Sequence, residues 1–273
     1  MILFTQIAQG VVLGAVQGLA EFLPVSSSGH LLLVPVLFGW EDQGLSFDVV
    51  LHLGTLIAIF WCFWSDIIGL AKNALHPATN KNEQLHARDV IVKIAVAATP
   101  ALLIGYVLNS WLETHARNVQ LVAFDLVVWG SLLWYADSRA TSKENISLLE
   151  AKISWKQVLS IAFAQPLALL PGTSRSGITI TAGLLSGMSR ALAARFSFFV
   201  SIPVMMAAGG YGLLKLFLEG GMEHPLKLLS GFLTAAITGI FAIRLLLRYV
   251  VKESYVPFVI YRYALALIIL FAA

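Results

Sequence analysis

Pro24-Val25-Ser26-Ser27-Ser28-Gly29-His30 and Pro171-Gly172-Thr173-Ser174-Arg175-Ser176-Gly177 interrupt the two apolar regions 3–38 and 155–190. Seven consecutive residues poor in helix formers would leave backbone N–H and C=O groups unpaired in lipid. Such a break is tolerated at membrane depth only where it is buried in protein or lines a wet cavity. Each region therefore reads as a helix–loop–helix hairpin that enters and leaves by the same membrane face.

The surrounding composition places these breaks in a membrane. Of 273 residues, 58% are apolar and 12% charged, against about 25% charged in an ordinary soluble domain. Six further stretches, 46–65, 90–108, 119–137, 196–217, 226–247 and 255–273, are long and apolar enough to span. The net charge of +3 comes from bases clustered in short segments between apolar runs, so it speaks for topology and not for a nucleic-acid partner. Cys62 is the single cysteine, which excludes an intrachain disulfide or thiolate metal site.

The hairpins resemble each other. Setting Gln17-Gly18-Leu19-Ala20 on Gln165-Pro166-Leu167-Ala168 brings Ser26, Ser28 and Gly29 opposite Ser174, Ser176 and Gly177 without gaps, and Phe47 to Ala58 lies loosely on Phe196 to Ala207. A hairpin plus three spans in each half, 1–137 and 153–273, makes the second half inverted, because three crossings is an odd number. The charges agree. Lys72, Lys81, Arg88 and Lys93, then Arg139, Lys143, Lys152 and Lys156, then Arg190 and Arg195, then Arg244, Arg248 and Lys252 all fall on one side. The opposite segments hold Arg117, Glu219 and Glu223. With the basic side cytoplasmic, both termini lie outside and the two loops approach from opposite faces toward the midplane. The expected fold is an all-α polytopic membrane protein in one membrane domain, 1–273, with six transmembrane helices and two re-entrant helical hairpins arranged as an inverted repeat.

The polar residues suggest chemistry. Gln17 and Glu21 share one helical face, and a glutamate at hydrocarbon depth costs roughly 2.5 kcal/mol unless paired or wet. No base lies within two turns, so its partner is an ion or a residue of the other hairpin. Ser26, Ser27 and Ser28 with His30 offer a hydroxyl nucleophile beside a base, or hydroxyls that satisfy the broken backbone while His30 donates to a carbonyl. Arg175 among Thr173, Ser174 and Ser176, with Gly172 and Gly177 admitting close backbone approach, suits an oxyanion of phosphorus. It equally suits a bridge to Glu21. Asp48 and His52 repeat the four-residue spacing and read as second-layer groups or extra metal ligands. Asp125, Asp137 and Arg262 have no evident partner, and His76, His86, His115 and His224 fall in expected loops.

Gln17-x-x-x-Glu21, the Pro24–His30 run and Pro171-Gly172-Thr173-Ser174-Arg175-Ser176-Gly177 together resemble the bacitracin-resistance family of undecaprenyl-diphosphate phosphatases, over essentially the whole chain. The resemblance implies hydrolysis of a polyprenyl diphosphate to the monophosphate and inorganic phosphate with a divalent cation, Mg²⁺ or Ca²⁺. It implies a bacterial inner-membrane location, a site opening to the periplasm and recycling of the peptidoglycan lipid carrier, and leaves room for a homodimer. On that reading Glu21 anchors the metal with Gln17, here an amide where the family also allows a carboxylate. Arg175, Ser174, Ser176, Thr173, Ser26, Gly172 and Gly177 hold the phosphates, and Ser27 assisted by His30 attacks, with activated water as the other route. The rival is a transporter or flippase of a phosphorylated polyprenyl lipid, since interrupted helices in inverted repeats also build transport sites.

Overall fold

The computed structural model describes residues 2–41, 43–76, 80–115, 118–140, 146–218 and 224–272, and every regular element among them is a helix. Helix α1 (Ile2–Phe22) stops just before Pro24, whose ring cannot supply a helical N–H. Helix α2 (Ser27–Phe38) starts on the Ser26 cap and ends on Gly39 at φ 63°, a left-handed terminator. There follow α3 (Gly44–Cys62), α4 (Trp64–Leu75), α5 (Lys81–His115) and α6 (Val119–Ser138). A capping box between Ser154 and Gln157 opens α7 (Trp155–Ala164), which tightens into a 3-10 turn over Gln165–Leu169 before the second break. Helices α8 (Arg175–Leu185), α9 (Arg190–Leu218), α10 (Pro225–Tyr249) and α11 (Val256–Ala272) complete the chain.

Five helical segments are long and apolar enough to cross a membrane: Leu3–Phe22, Lys81–Leu108, Val119–Ser138, Arg190–Lys215 and Pro225–Tyr249. A sixth results if α3 and α4 count as one span bent by 70°. Three boundaries differ from the sequence expectation. The first break falls late in region 3–38, so α1 alone has spanning length. The run 46–65 is not straight, although no Pro or Gly marks its bend; Phe63 turns in to pack on Phe198 and Phe199, with ring centroids 6.1 and 5.1 Å away. Region 255–273 forms only a shorter apolar helix. His86 lies within α5, half-buried, not in a loop, and its Nε2 is buried without a hydrogen-bond partner. Arg117, Lys143, Glu219 and Glu223 of the charge pattern, and the His115 side chain, lie outside the described residues.

Helix α1 lies along α10, which also packs on α3; α5 contacts α7 and α9; α6 pairs with α11, and α3 with α9. The α1–α10 seam is built from small residues, the device that brings helix backbones together where lipid gives no hydrophobic drive. A Cβ on Gly18 would stand 2.0 Å from Thr238 Oγ1 and 2.5 Å from the Ala235 carbonyl oxygen. Backbone cannot yield to it, so Gly18→Ala should force the helices apart at a cost of about 1–3 kcal/mol. The expected result is a thermal midpoint in detergent lower by several degrees; an unchanged midpoint would show that the seam tolerates separation.

Two of the charges inside this bundle are held by close partners. Asp137 receives Arg190 Nε at 2.5 Å and the Tyr255 backbone N–H at 3.0 Å, which ties the end of α6 to the starts of α9 and α11. Lys93, counted above among the loop bases, is instead buried in α5, where it bonds Asp89 and the Ile153 carbonyl and lies 5.5 Å from the Trp155 ring centroid.

Candidate active site

The two broken loops adopt the same local conformation. Ser26 has φ 73°, ψ 94° and Ser174 has φ 70°, ψ 112°, left-handed backbone that costs an L-residue roughly 1–2 kcal/mol. Each serine caps the helix after it. The Ser26 hydroxyl accepts from Gly29 N–H at 3.4 Å and the Ser174 hydroxyl from Gly177 N–H at 3.1 Å. Each also meets the hydroxyl two residues on, Ser28 at 3.2 Å and Ser176 at 3.3 Å.

The loops touch through matching positions. Gly172 N–H donates to Ser28 Oγ at 3.4 Å. Pro24, at the position equivalent to Gly172, has no N–H to return, and Ser176 Oγ instead donates to the Leu23 carbonyl at 3.3 Å.

This contact brings the last turn of α1 against the first turn of α8. Arg175 Nη2 donates to Glu21 Oε1 at 2.6 Å, a charge-assisted bond between residues 154 apart in sequence. The other oxygen, Glu21 Oε2, accepts from Ser27 Oγ at 2.7 Å and from Gln17 Nε2 at 3.1 Å, and faces His52 Nε2 at 3.6 Å. Arg175 is steadied from behind by the Ser197 carbonyl at 3.4 Å and Met205 Sδ at 3.6 Å. The Glu21 and Arg175 side chains are 6% and 14% exposed and that of His52 is 39% exposed, so the open approach runs past α3.

His52 is oriented through its neighbour's backbone. Its Nδ1 lies 2.7 Å from the Asp48 carbonyl oxygen. A carbonyl only accepts, so Nδ1 carries the proton and Nε2 is turned toward the carboxylate. Gln17 Oε1 is buried without a hydrogen-bond partner.

The expected Ser27–His30 pair is not formed. His30 Nδ1 lies 2.7 Å from the Ser26 carbonyl oxygen and must carry the proton, so Nε2 accepts from the Tyr261 hydroxyl at 2.7 Å, with the two rings stacked 5.5 Å apart. The helical start explains the difference. The imidazole folds back over the carbonyl four residues earlier, while Ser27 at the first helical position turns toward α1. The base within reach of Ser27 is Glu21.

Glycines 172 and 177 also serve a purpose different from the one their sequence suggested. Their N–H groups already serve Ser28 and Ser174. A Cβ on Gly172 would lie 2.6 Å from the Val122 carbonyl oxygen, and one on Gly177 would lie 3.0 Å from Arg262 Nη1. They admit protein, not ligand. The Thr173 hydroxyl is buried without a partner.

Arg262 and Tyr261, both on α11, belong to this arrangement; Arg262 stands out in the sequence only as a polar group without an evident partner, and Tyr261 not at all. An arginine inside an apolar helix was the available signal. Its partners are main-chain carbonyls, which residue types do not reveal.

Comparison with known proteins fits this geometry. The family described as bacitracin resistance protein BacA matches residues 10–268. The undecaprenyl-diphosphatase of Saccharophagus degradans is 44% identical over 256 residues, 94% of each chain. The undecaprenyl-diphosphatase 2 of Stutzerimonas stutzeri is 41% identical over 96% of each chain, and the undecaprenyl-diphosphatase of Moorella thermoacetica 42% identical over 96% of each. A single family thus spans both loops and nearly every helix between and around them, and the chain belongs to the BacA bacitracin-resistance family.

Proposed function

We propose that this protein is an undecaprenyl-diphosphatase that hydrolyses the lipid diphosphate to undecaprenyl phosphate and inorganic phosphate at the Glu21–Arg175 contact. The observation that carries the reading is one buried carboxylate holding an arginine fork on one oxygen and a serine hydroxyl on the other. The incoming diphosphate takes the Arg175 fork from Glu21. Ser27 Oγ attacks the terminal phosphorus, its proton passes to Glu21, and the P–O bond to undecaprenyl phosphate breaks. The departing phosphate oxygen takes that proton from Glu21. Water, deprotonated by the restored carboxylate, then attacks the phosphoserine phosphorus, the bond to Ser27 Oγ breaks with the proton returned to that oxygen, and phosphate is released. His30 acts here by holding the Ser26–Ser27 peptide in place.

The residues suit a hard divalent cation, Mg²⁺ or Ca²⁺. Gln17 Oε1 is a buried acceptor without a partner, on the amide whose Nε2 donates to Glu21 Oε2, and His52 Nε2 faces that carboxylate oxygen. Among the described residues no three His, Cys, Asp or Glu side chains form a complete cage, so substrate phosphates would complete the coordination, as is usual for Mg²⁺. When bound, the cation neutralises charge on the diphosphate.

We further propose the inverted repeat of halves 1–137 and 153–273, with six spans and two re-entrant hairpins, in a bacterial inner membrane with the site open to the periplasm. The matching backbone of Ser26 and Ser174 supports it. So do the helix pairings: α1 on α10 parallels α7 on α5, while α3–α9 and α6–α11 pair like with like.

The test is phosphate release by purified protein in detergent, where leaflets no longer exist. Release from undecaprenyl diphosphate should stop with EDTA and return with Mg²⁺ or Ca²⁺. Binding without release would replace the phosphatase by a lipid carrier.

A further inference from the structure

Arg262 is completely buried in α11, and the proposed chemistry gives it nothing to do. Its nitrogens reach main-chain carbonyls of three separate segments. Nε donates to Leu126 at 3.1 Å and Nη2 to Asp125 at 3.3 Å, both on α6. Nη1 donates to Pro24 of the first loop at 3.4 Å and to Thr173 of the second at 3.1 Å. Nη2 also reaches Gly172 at 2.9 Å and Thr173 at 3.1 Å. Breaking two helices at one place leaves carbonyls without helical partners, and a planar fork with five donors can serve several at once where a lysine ammonium serves a single point. Space is kept for it. A Cβ on Gly130 would lie 3.3 Å from Nε, and one on Gly177 would lie 3.0 Å from Nη1.

The carbonyls it joins lie close to the reacting groups. Pro24 is three residues from both Glu21 and Ser27; Thr173 is two residues from Arg175. The incoming diphosphate opens the Glu21–Arg175 pair in the chemistry proposed above, and the ties between the loops that then remain, Gly172 to Ser28 and Ser176 to Leu23, are long, at 3.4 and 3.3 Å, and carry no charge. Tyr261, the preceding residue, holds the far side of the first loop through His30.

We propose that Arg262 is a positioning residue, which clamps the two loops in register and so sets the distance between the Ser27 nucleophile on one and the Arg175 phosphate fork on the other. The inference rests on the phosphatase reading above. Because each loop keeps its own groups, loss of register should slow attack without preventing binding. A misplacement of about 1 Å can slow a reaction by around 100-fold.

The experiment compares wild type, Arg262→Lys and Gly130→Ala, each as a monodisperse detergent preparation, measuring KM and kcat per binding site, with sites titrated by undecaprenyl phosphate. Arg262→Lys should lower kcat per site by about 100-fold with KM within about threefold of wild type. Gly130→Ala sits on α6 away from the reacting groups, improves helix propensity and presses most closely on Nε, at 3.3 Å, with Arg262 Cδ and Tyr263 Cε1 in ordinary contact at 3.5 Å. It should lower kcat per site several-fold with no fall in thermal midpoint, and it decides the matter if Arg262→Lys does not fold. Wild-type kcat per site in a folded Arg262→Lys, a loss confined to the number of binding sites, or an unaffected Gly130→Ala would each overturn the proposal. Absence of phosphate release in wild type would instead remove the phosphatase reading.

Discussion

Arg175→Ala should lower phosphate release from undecaprenyl diphosphate by about 10³-fold or more while leaving the protein inserted in the membrane. Loss of a preorganised donor aimed at developing charge typically costs 10²–10³-fold, and Arg175 is in contact with the Glu21 carboxylate and is the fork proposed to take the diphosphate. The factor of 10³ corresponds to about 4 kcal/mol of barrier. Removing one partner of a buried ion pair also destabilises the fold, by about 3–5 kcal/mol when the remaining charge is stranded. Here Glu21 keeps Ser27 and Gln17 as donors, which limits that penalty. Arg175→Lys keeps the charge and loses the fork, so its activity should fall between the two. Adding Glu21→Ala to Arg175→Ala should lower activity little further, since groups that act as a unit are not additive. Near wild-type turnover in Arg175→Ala would overturn the phosphate-clamp assignment.

Ser27→Ala carries the second large effect. If Ser27 forms the phosphoserine, its removal should lower turnover by at least about 10³-fold, since loss of a nucleophile leaves only binding and electrostatic catalysis. With substrate labelled at the terminal phosphate and rapid quenching, label should appear on wild-type protein and be absent from Ser27→Ala. The bond from Ser27 Oγ to Glu21 Oε2 at 2.7 Å supplies the geometry for this step. Near-normal hydrolysis in Ser27→Ala would eliminate the covalent route in favour of an activated water.

The amino-acid sequence carries the pairing of the loops better than the details within them. Glu21 lacks a local base and Arg175 stands in an otherwise similar break, so their meeting was expressible as a question of charge alone. The identity of Ser27's partner was not. Proximity to His30 in sequence suggested a pair, yet the Ser27 hydroxyl turned to Glu21 on α1 and the imidazole found its own carbonyl. The bend at Phe63 was hidden because tertiary packing of aromatic rings causes it, with no breaker residue to announce it. Arg262 was visible as an anomaly but not interpretable, because acceptors on the main chain leave no trace in side-chain identity.

The close seam at Gly18 bears on how this protein can be inhibited. Glu21 stands less than one turn beyond the point where α1 rests on the backbone of α10, so its helix has no freedom to slide or rotate toward a ligand. A drug aimed at the acid therefore meets a target held in place on one side, and a cationic group on it would compete with Arg175 for the carboxylate.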